Sequence, residues 1–238
     1  MKAIIIGATS GIGRELAKQM SVYGYVVGIT GRRSELLDSL EEELPGECFK
    51  TTMDLAEISE AVKAFKELLR EMDDVSVVVI NSGTGNVDPT FPLSGELETV
   101  AVNVAGFTAL ANVAYHYFAN KKEGHIVATS SIMALRGGPC PSYNASKAYM
   151  SNYLEGVLCR SRMEGHNIVV TDVRPGFVDT AMAKGEGIFW MAPVEKAARQ
   201  IFKAIKKRRR IVYITKRWRL VGFLVSCMPF KLYLKVIS

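Results

Sequence analysis

The sequence predicts an α/β chain folded as a single doubly wound domain, a parallel sheet with helices on both faces. Three observations predict it. Short Val/Ile-rich runs recur at 2–6, 25–30, 75–80, 125–129, 168–173 and 211–215. Segments of helical composition, such as 34–44, 58–72 and 194–206, separate them. A glycine turn, Gly7-Ala8-Thr9-Ser10-Gly11-Ile12-Gly13, stands directly between the first run and a helix-like segment. Apolar strands alternating with helices are the pattern of a parallel sheet covered on both sides. A chain of 238 residues with 48% hydrophobic content is long enough for one such core, burying about 70–75% of its unfolded surface.

The first strand and its turn come first along the chain. Residues 2–6 form an apolar run, and 14–20 have helical composition. Strand, glycine turn and helix are the context that a dinucleotide-binding turn requires, a Rossmann-type arrangement. Gly7 permits the tight turn, Gly11 lets backbone approach a pyrophosphate, and Gly13 allows helix against strand. The helix start offers free N–H groups and a positive dipole end to phosphate.

Two residue pairs with Tyr-x-x-x-Lys spacing follow, Tyr117/Lys121 and Tyr143/Lys147. With nine tyrosines and sixteen lysines in the chain, spacing alone carries little. Tyr117/Lys121 has no hydroxyl residue a dozen positions upstream and reads as a solvated helix end. Tyr143/Lys147 has Ser130 and Ser131 behind it, at the end of a predicted strand, where ligand sites of such sheets lie. On a helix, residues four apart share a face. A free phenol titrates near 10, and lowering it by about three units takes roughly 4 kcal/mol of differential stabilisation. A neighbouring ammonium and a positive nicotinamide are suited to supply it.

With these motifs in order, the chain resembles the short-chain dehydrogenase/reductase family, single-domain Tyr-x-x-x-Lys branch, over about residues 2–215. The residues that carry the resemblance are the Gly7–Gly13 turn with Thr9, Ser10 and Ile12, Asp54-Leu55, Asn81-Ser82-Gly83, Asn103, the serine, Tyr143/Lys147, and Pro175-Gly176 with Val178 and Thr180. The resemblance implies a seven-stranded parallel sheet and an NAD(P)-dependent oxidoreductase acting on a carbonyl or alcohol. It implies Tyr143 as general acid/base, Lys147 as ribose anchor and tuner of the phenol, and Asn103 as holder of a relay water. Asp54 would accept from the adenine amino group. Thr180 would touch the nicotinamide amide, or simply cap a following helix. Ser82 departs from the usual alanine. The serine is Ser131 or Ser130 by counting back from Tyr143; the forward spacing to Ala134 and Pro139 favours Ser131.

At the end of the second strand an acidic residue would hold the ribose diol of NAD. Gly31 stands there instead, followed by Arg32 and Arg33, whose guanidinium forks suit a 2′-phosphate. The expected cofactor is NADPH rather than NADH, unless the arginines are merely solvated charges opening a helix. No metal site is expected.

Charge is uneven. Residues 1–195 carry 17 basic and 24 acidic side chains, and residues 196–238 carry 13 basic and none acidic. Residues 216–238 form a basic, apolar tail rather than a domain. Arg219, Pro229, Lys231 and Lys235 argue against a spanning helix. An interfacial membrane segment is one reading, and an apolar stripe packed on the protein's own core or on another subunit, with Arg and Lys snorkelling outward, is the other. A nucleic-acid surface is not expected, because no aromatic platform or groove helix accompanies the basic run 206–210.

Residues 181–192, with Met182, Ile188, Phe189, Trp190 and Met191, would form a short apolar lid over a hydrophobic substrate, or simply fill the domain edge. Four scattered cysteines, Cys48, Cys140, Cys159 and Cys227, read as reduced thiols of a cytoplasmic protein. A homo-dimer or tetramer follows from the resemblance alone. A non-catalytic nucleotide-binding sensor or scaffold is the alternative reading, and the Asn103/Ser131/Tyr143/Lys147 set argues against it.

Overall fold

The computed structural model describes residues 1–85, 90–181, 183 and 189–237, the last of these by its backbone. Seven parallel strands form one sheet in the order β3-β2-β1-β4-β5-β6-β7. They are β1 (Lys2–Ile6), β2 (Val26–Gly31), β3 (Cys48–Thr52), β4 (Val75–Ile80), β5 (Glu123–Thr129), β6 (Asn167–Pro175) and β7 (Ile211–Ile214). The helices are α1 (Gly11–Val22), α2 (Ser34–Glu43), α3 (Ile58–Met72), α4 (Leu93–Val100), α5 (Phe107–Lys121), α6 (Pro141–Met163), α7 (Val194–Lys206), α8 (Arg217–Cys227) and α9 (Phe230–Ile237).

Alternation along the strands builds two cores. Ala3 and Ile5 of β1 join Val27 and Ile29 of β2 under α1, α2 and α7. Ile4 and Ile6 point the other way and join Val78, Ile80 and Ile126 under α3, α5 and α6. Both sheet faces are therefore covered, which is why these strands read as continuous apolar runs. The exception is β3, an edge strand whose Lys50 and Thr52 are exposed.

The strand order reverses between β1 and β4, and the crevice beyond their carboxyl ends is where this topology takes ligands. Helices α4 and α5 are joined without a break by a wider π-helical stretch, Ala101–Gly106. Among the described residues the combined helix, Leu93–Lys121, is the one long and apolar enough to cross a membrane. Its α5 half is a core helix, with Phe107, Leu110 and Phe118 fully buried.

The Tyr117/Lys121 pair differs from the expected solvated end. The Tyr117 hydroxyl accepts the Val75 N–H at 2.9 Å, and Lys121 pairs with Asp74 and donates to the Val75 carbonyl. The pair braces α5 against the start of β4. An apolar-strand reading offers no signal for this, since the contact is made to backbone.

Candidate active site

A cleft of about 1400 Å³ opens at the switch point. It is lined by the glycine turn after β1, the ends of β2, β4, β5 and β6, the start of α6, and the inner faces of α8 and α9.

The glycine turn is tightly built. Gly7 and Ala8 donate to the Thr30 carbonyl at 2.9 and 2.8 Å. Gly7 lies at φ +88°, and a β-carbon there would fall 2.7 Å from the Ser82 nitrogen. At Gly13 it would meet the Gly7 carbonyl oxygen at 2.0 Å, so a side chain would part the helix from the strand. Gly11, at φ +54°, faces the Thr180 methyl. Asn81 ties the floor together, donating to the Gly7 carbonyl at 3.2 Å and accepting from Thr129 at 2.9 Å. This is a cradle only glycine can line, and its geometry fits a pyrophosphate at the start of α1.

The β2 end carries the two arginines. Arg33 donates to the Thr9 and Ser10 hydroxyls at 2.9 and 3.2 Å. Arg32 lies 3.9 Å from the Asp54 carboxylate, with both side chains largely exposed. The other Asp54 oxygen accepts the Ala56 N–H. Gly31 is overlaid by Thr9, whose methyl would sit 2.4 Å from an added β-carbon.

Beyond β5 the two serines part company. Ser130 donates to the Asp172 carboxylate and to the Val173 carbonyl. Asp172 is almost fully buried and pairs with Arg174 at 2.7 Å. Ser131 caps the short turn Ile132–Leu135 by accepting from the Met133 N–H, and it lines the cleft together with Tyr143. Glu96 of α4 accepts both the N–H and the hydroxyl of Ser142, holding the first turn of α6. Tyr143 sits in that turn, where the helix dipole favours a negative oxygen.

Lys147, one turn on, is buried and donates to the Thr129 carbonyl at 2.9 Å. Its ammonium lies 5.6 Å from the centre of the Tyr143 ring. Burial lowers its pKa to about 8, and the Asp172 charge opposes that drop. For Tyr143, burial pushes the phenol above its ordinary value, and the Ser131 hydrogen bond pulls it back. The protein's own groups thus leave the phenol raised, and the lowering expected from the ammonium and a positive nicotinamide together has this desolvation to overcome. Desolvation is the larger effect.

Asn103 lies fully buried in the π-helical stretch. Its amide accepts from the Thr84 N–H and donates to the Thr84 carbonyl and the Ser146 hydroxyl. Only the second lone pair of its oxygen is left to offer a water. Gly83 lies between Lys147 and Asn103, 3.0 Å from the ammonium if given a β-carbon.

The far wall joins two of the expected lid residues, Phe189 and Trp190, to the tail. Trp218 of α8 lies on Gly176, where a β-carbon would sit 2.1 Å from its ring. It gathers Phe177, Phe189 and Trp190 around it at ring distances of 5.2–6.2 Å. Among the described residues its buried indole N–H has no hydrogen-bond partner. Of the expected lid, Met182 and Ile188 lie outside the described residues, and no helix begins at Thr180 among those described. The N–H of Ala183 donates to the Thr180 carbonyl. Pro175 ends β6, and Val178 is bridged to Ala192 at the base of the loop. Tail helices in this position carried no signal beyond apolar content.

Comparison with known proteins gives the family and the fold. The family model for short chain dehydrogenases matches residues 1–187. The chain is 29% identical over 236 residues to mouse dehydrogenase/reductase SDR family member 7B, covering 89% of this chain and 72% of that protein. It is 30% identical over 185 residues to serine 3-dehydrogenase of Rhizobium radiobacter, covering 74% and 72%. A short-chain dehydrogenase/reductase from Burkholderia phymatum in complex with NAD superposes with a TM-score of 0.84 at 20% identity, over 94% of this chain and 92% of that one. One from Sphingobium yanoikuyae in complex with NADPH gives 0.77 at 20% identity, over 96% of each.

Proposed function

The chain belongs to the short-chain dehydrogenase/reductase family, as an NAD(P)-dependent oxidoreductase, and we propose that it reduces the carbonyl of a hydrophobic aldehyde or ketone with NADPH. The observation that supports this most is the grouping of Ser131, Tyr143 and Lys147 in one cleft with the glycine cradle. Bound there, nicotinamide supplies the hydride.

The rest falls to the chain's own residues. Ser131 holds the substrate oxygen beside the Tyr143 hydroxyl. Tyr143 passes its proton to that oxygen as the carbon is reduced. Lys147, held by the Thr129 carbonyl, presents its ammonium to a ribose hydroxyl and stabilises the phenolate left behind. Asn103 fixes Thr84 and Ser146 and so keeps the wall opposite Tyr143 in place. Gly7, Gly11, Gly13, Asn81, Ser82, Gly83, Leu55, Pro175 and Val178 shape the cofactor's bed, and Thr180 closes over Gly11.

NADPH is favoured because no carboxylate stands at Gly31 while Arg32 and Arg33 line that rim. Asp54, engaged with Arg32, also reaches the adenine side. A hydrophobic substrate follows from the aromatic wall of Phe177, Phe189 and Trp218. The four free cysteines fit a cytoplasmic protein. Exposed Leu97 and Val100 on α4 and Tyr149 on α6 offer a surface for self-association.

A screen of NADPH oxidation over aldehydes, ketones and 3-oxoacyl thioesters tests the reading, with Tyr143→Phe as control. Loss of the phenol should cut turnover by about 10²–10⁴-fold. Undiminished reduction by the Phe variant would refute it.

A further inference from the structure

We propose that α8 and α9 seat the protein on an anionic lipid surface. The two faces of α8 divide by helical spacing. Trp218, Val221, Gly222 and Val225, at i, i+3, i+4 and i+7, line the cleft. Leu220, Phe223 and Leu224, at i, i+3 and i+4, point outward and are 63%, 65% and 54% exposed. On α9, Leu232 and Leu234 are exposed on either side of the buried Tyr233. A helix with an apolar inner face ordinarily turns a polar one to water. Here the second stripe is apolar too.

Charge decides what covers it. Lys216, Arg217, Arg219, Lys231 and Lys235 surround the stripe, and none has a carboxylate partner among the described residues. No acidic residue occurs from 196 onward to supply one locally. A second copy meeting this face about a two-fold axis would set the same cations against each other. An anionic headgroup layer complements them, while Phe and Leu enter the acyl boundary and the Lys and Arg stems run up beside them. The basic run 206–210 takes no part: it precedes β7, at the opposite end of the sheet from the tail.

The test is flotation of the full chain with phosphatidylcholine vesicles, with and without phosphatidylserine. The chain should float with the anionic vesicles only, and salt should release it. Replacing Arg219, Lys231 and Lys235 together by Gln should weaken binding roughly 100-fold. Phe223→Ser with Leu224→Ser should lower it as well, and thermal melts show whether each variant folds. These substitutions lie outside the cleft, so cofactor-induced stabilisation should be unchanged in both, which separates this outcome from any failure of the catalytic reading. Absence of flotation with anionic vesicles, or equal flotation of wild type and both variants, overturns the proposal. So does a dimer that these serines dissolve in a chain that does not float, since that assigns the face to a second copy.

Discussion

Ser130 donates its hydroxyl to the carboxylate of Asp172, which commits it to a buried network with Arg174 and Tyr213. Its neighbour Ser131 lines the cleft with Tyr143 and is the one that pulls the phenol's pKa down. The two serines should therefore fail differently. Ser131→Ala is expected to lower kcat by about 100-fold, as loss of a single transition-state hydrogen bond does. Ser130→Ala should leave most activity and instead lower the melting temperature, by about 1–3 kcal/mol of stability for a charged group deprived of a partner. Steady-state kinetics and thermal melts of both variants check this; a reversed order would reassign the substrate-holding hydroxyl.

The buried ammonium of Lys147 links activity to pH. Its pKa is lowered to about 8 from 10.5. Between those values the unfolded chain holds more protons here than the folded one, so the cost of burying the charge is full below pH 8 and fades as pH rises through the window. Lys147→Met should thus melt above wild type at pH 7, with the gap closing toward pH 10.5, while turnover is lost. In wild type, kcat/KM should fall above about pH 8 as the ammonium is neutralised. Asp172→Asn removes the charge that opposes the drop, and should move that inflection to lower pH.

The proposed preference for NADPH turns on the rim of β2. Arg32→Ala and Arg33→Ala should each raise KM for NADPH by about tenfold or more, the worth of a charge-assisted hydrogen bond, with little change for NADH. Gly31→Asp alone should not create an NADH enzyme, because Thr9 overlies the site of its β-carbon. Paired KM measurements with the two cofactors decide it. Equal effects on both would make the arginines structural.

Much of this was legible in the sequence for physical reasons, and the rest was not for equally physical ones. Six strands announced themselves because a doubly covered parallel strand is apolar throughout. β3 did not, since Lys50 and Thr52 on an edge face water. Gly7, Gly11 and Gly13 could be read because each position excludes a side chain. The π-helical stretch holding Asn103 left no mark, because its wider turn depends on what α4 and α5 pack against. The tail was ambiguous because α8 is apolar on two sides: Trp218 packs inward on Gly176, while Phe223 remains outside.

Acid stability should expose a second buried base. His125 lies 2.8 Å from the Thr171 hydroxyl, and burial lowers its pKa to about 4, with Arg208 adding to the shift. The unfolded imidazole takes its proton near 6.5. The stability that neutral His125 contributes is therefore complete above pH 6.5 and lost as pH falls from 6.5 toward 4. His125→Gln should flatten this slope in urea midpoints measured across that range. An unchanged slope would place the acid sensitivity elsewhere.

The roof of the cleft hangs on one side chain. Arg136, in the loop before α6, donates to the carbonyls of Val225 and Met228 at 2.7 and 2.5 Å. Its guanidinium also lies 4.2 Å from the centre of the Tyr233 ring, and Tyr233 in turn donates to the Gly137 carbonyl. The C-terminal end of α8 is thus satisfied by a cation, the sign its dipole favours. Arg136→Ala should free both helices without touching Tyr143 or Lys147. Losing two charge-assisted hydrogen bonds and a cation–π contact should raise the open fraction by roughly tenfold or more. Trypsin should then cut sooner after Arg217 and Arg219, and KM for apolar ketones should rise more than kcat falls. Arg136→Lys should recover only part of this, because an ammonium cannot both fork to two carbonyls and stack on the ring. If tryptic cleavage of the variant proceeds at the wild-type rate, the latch is not at Arg136.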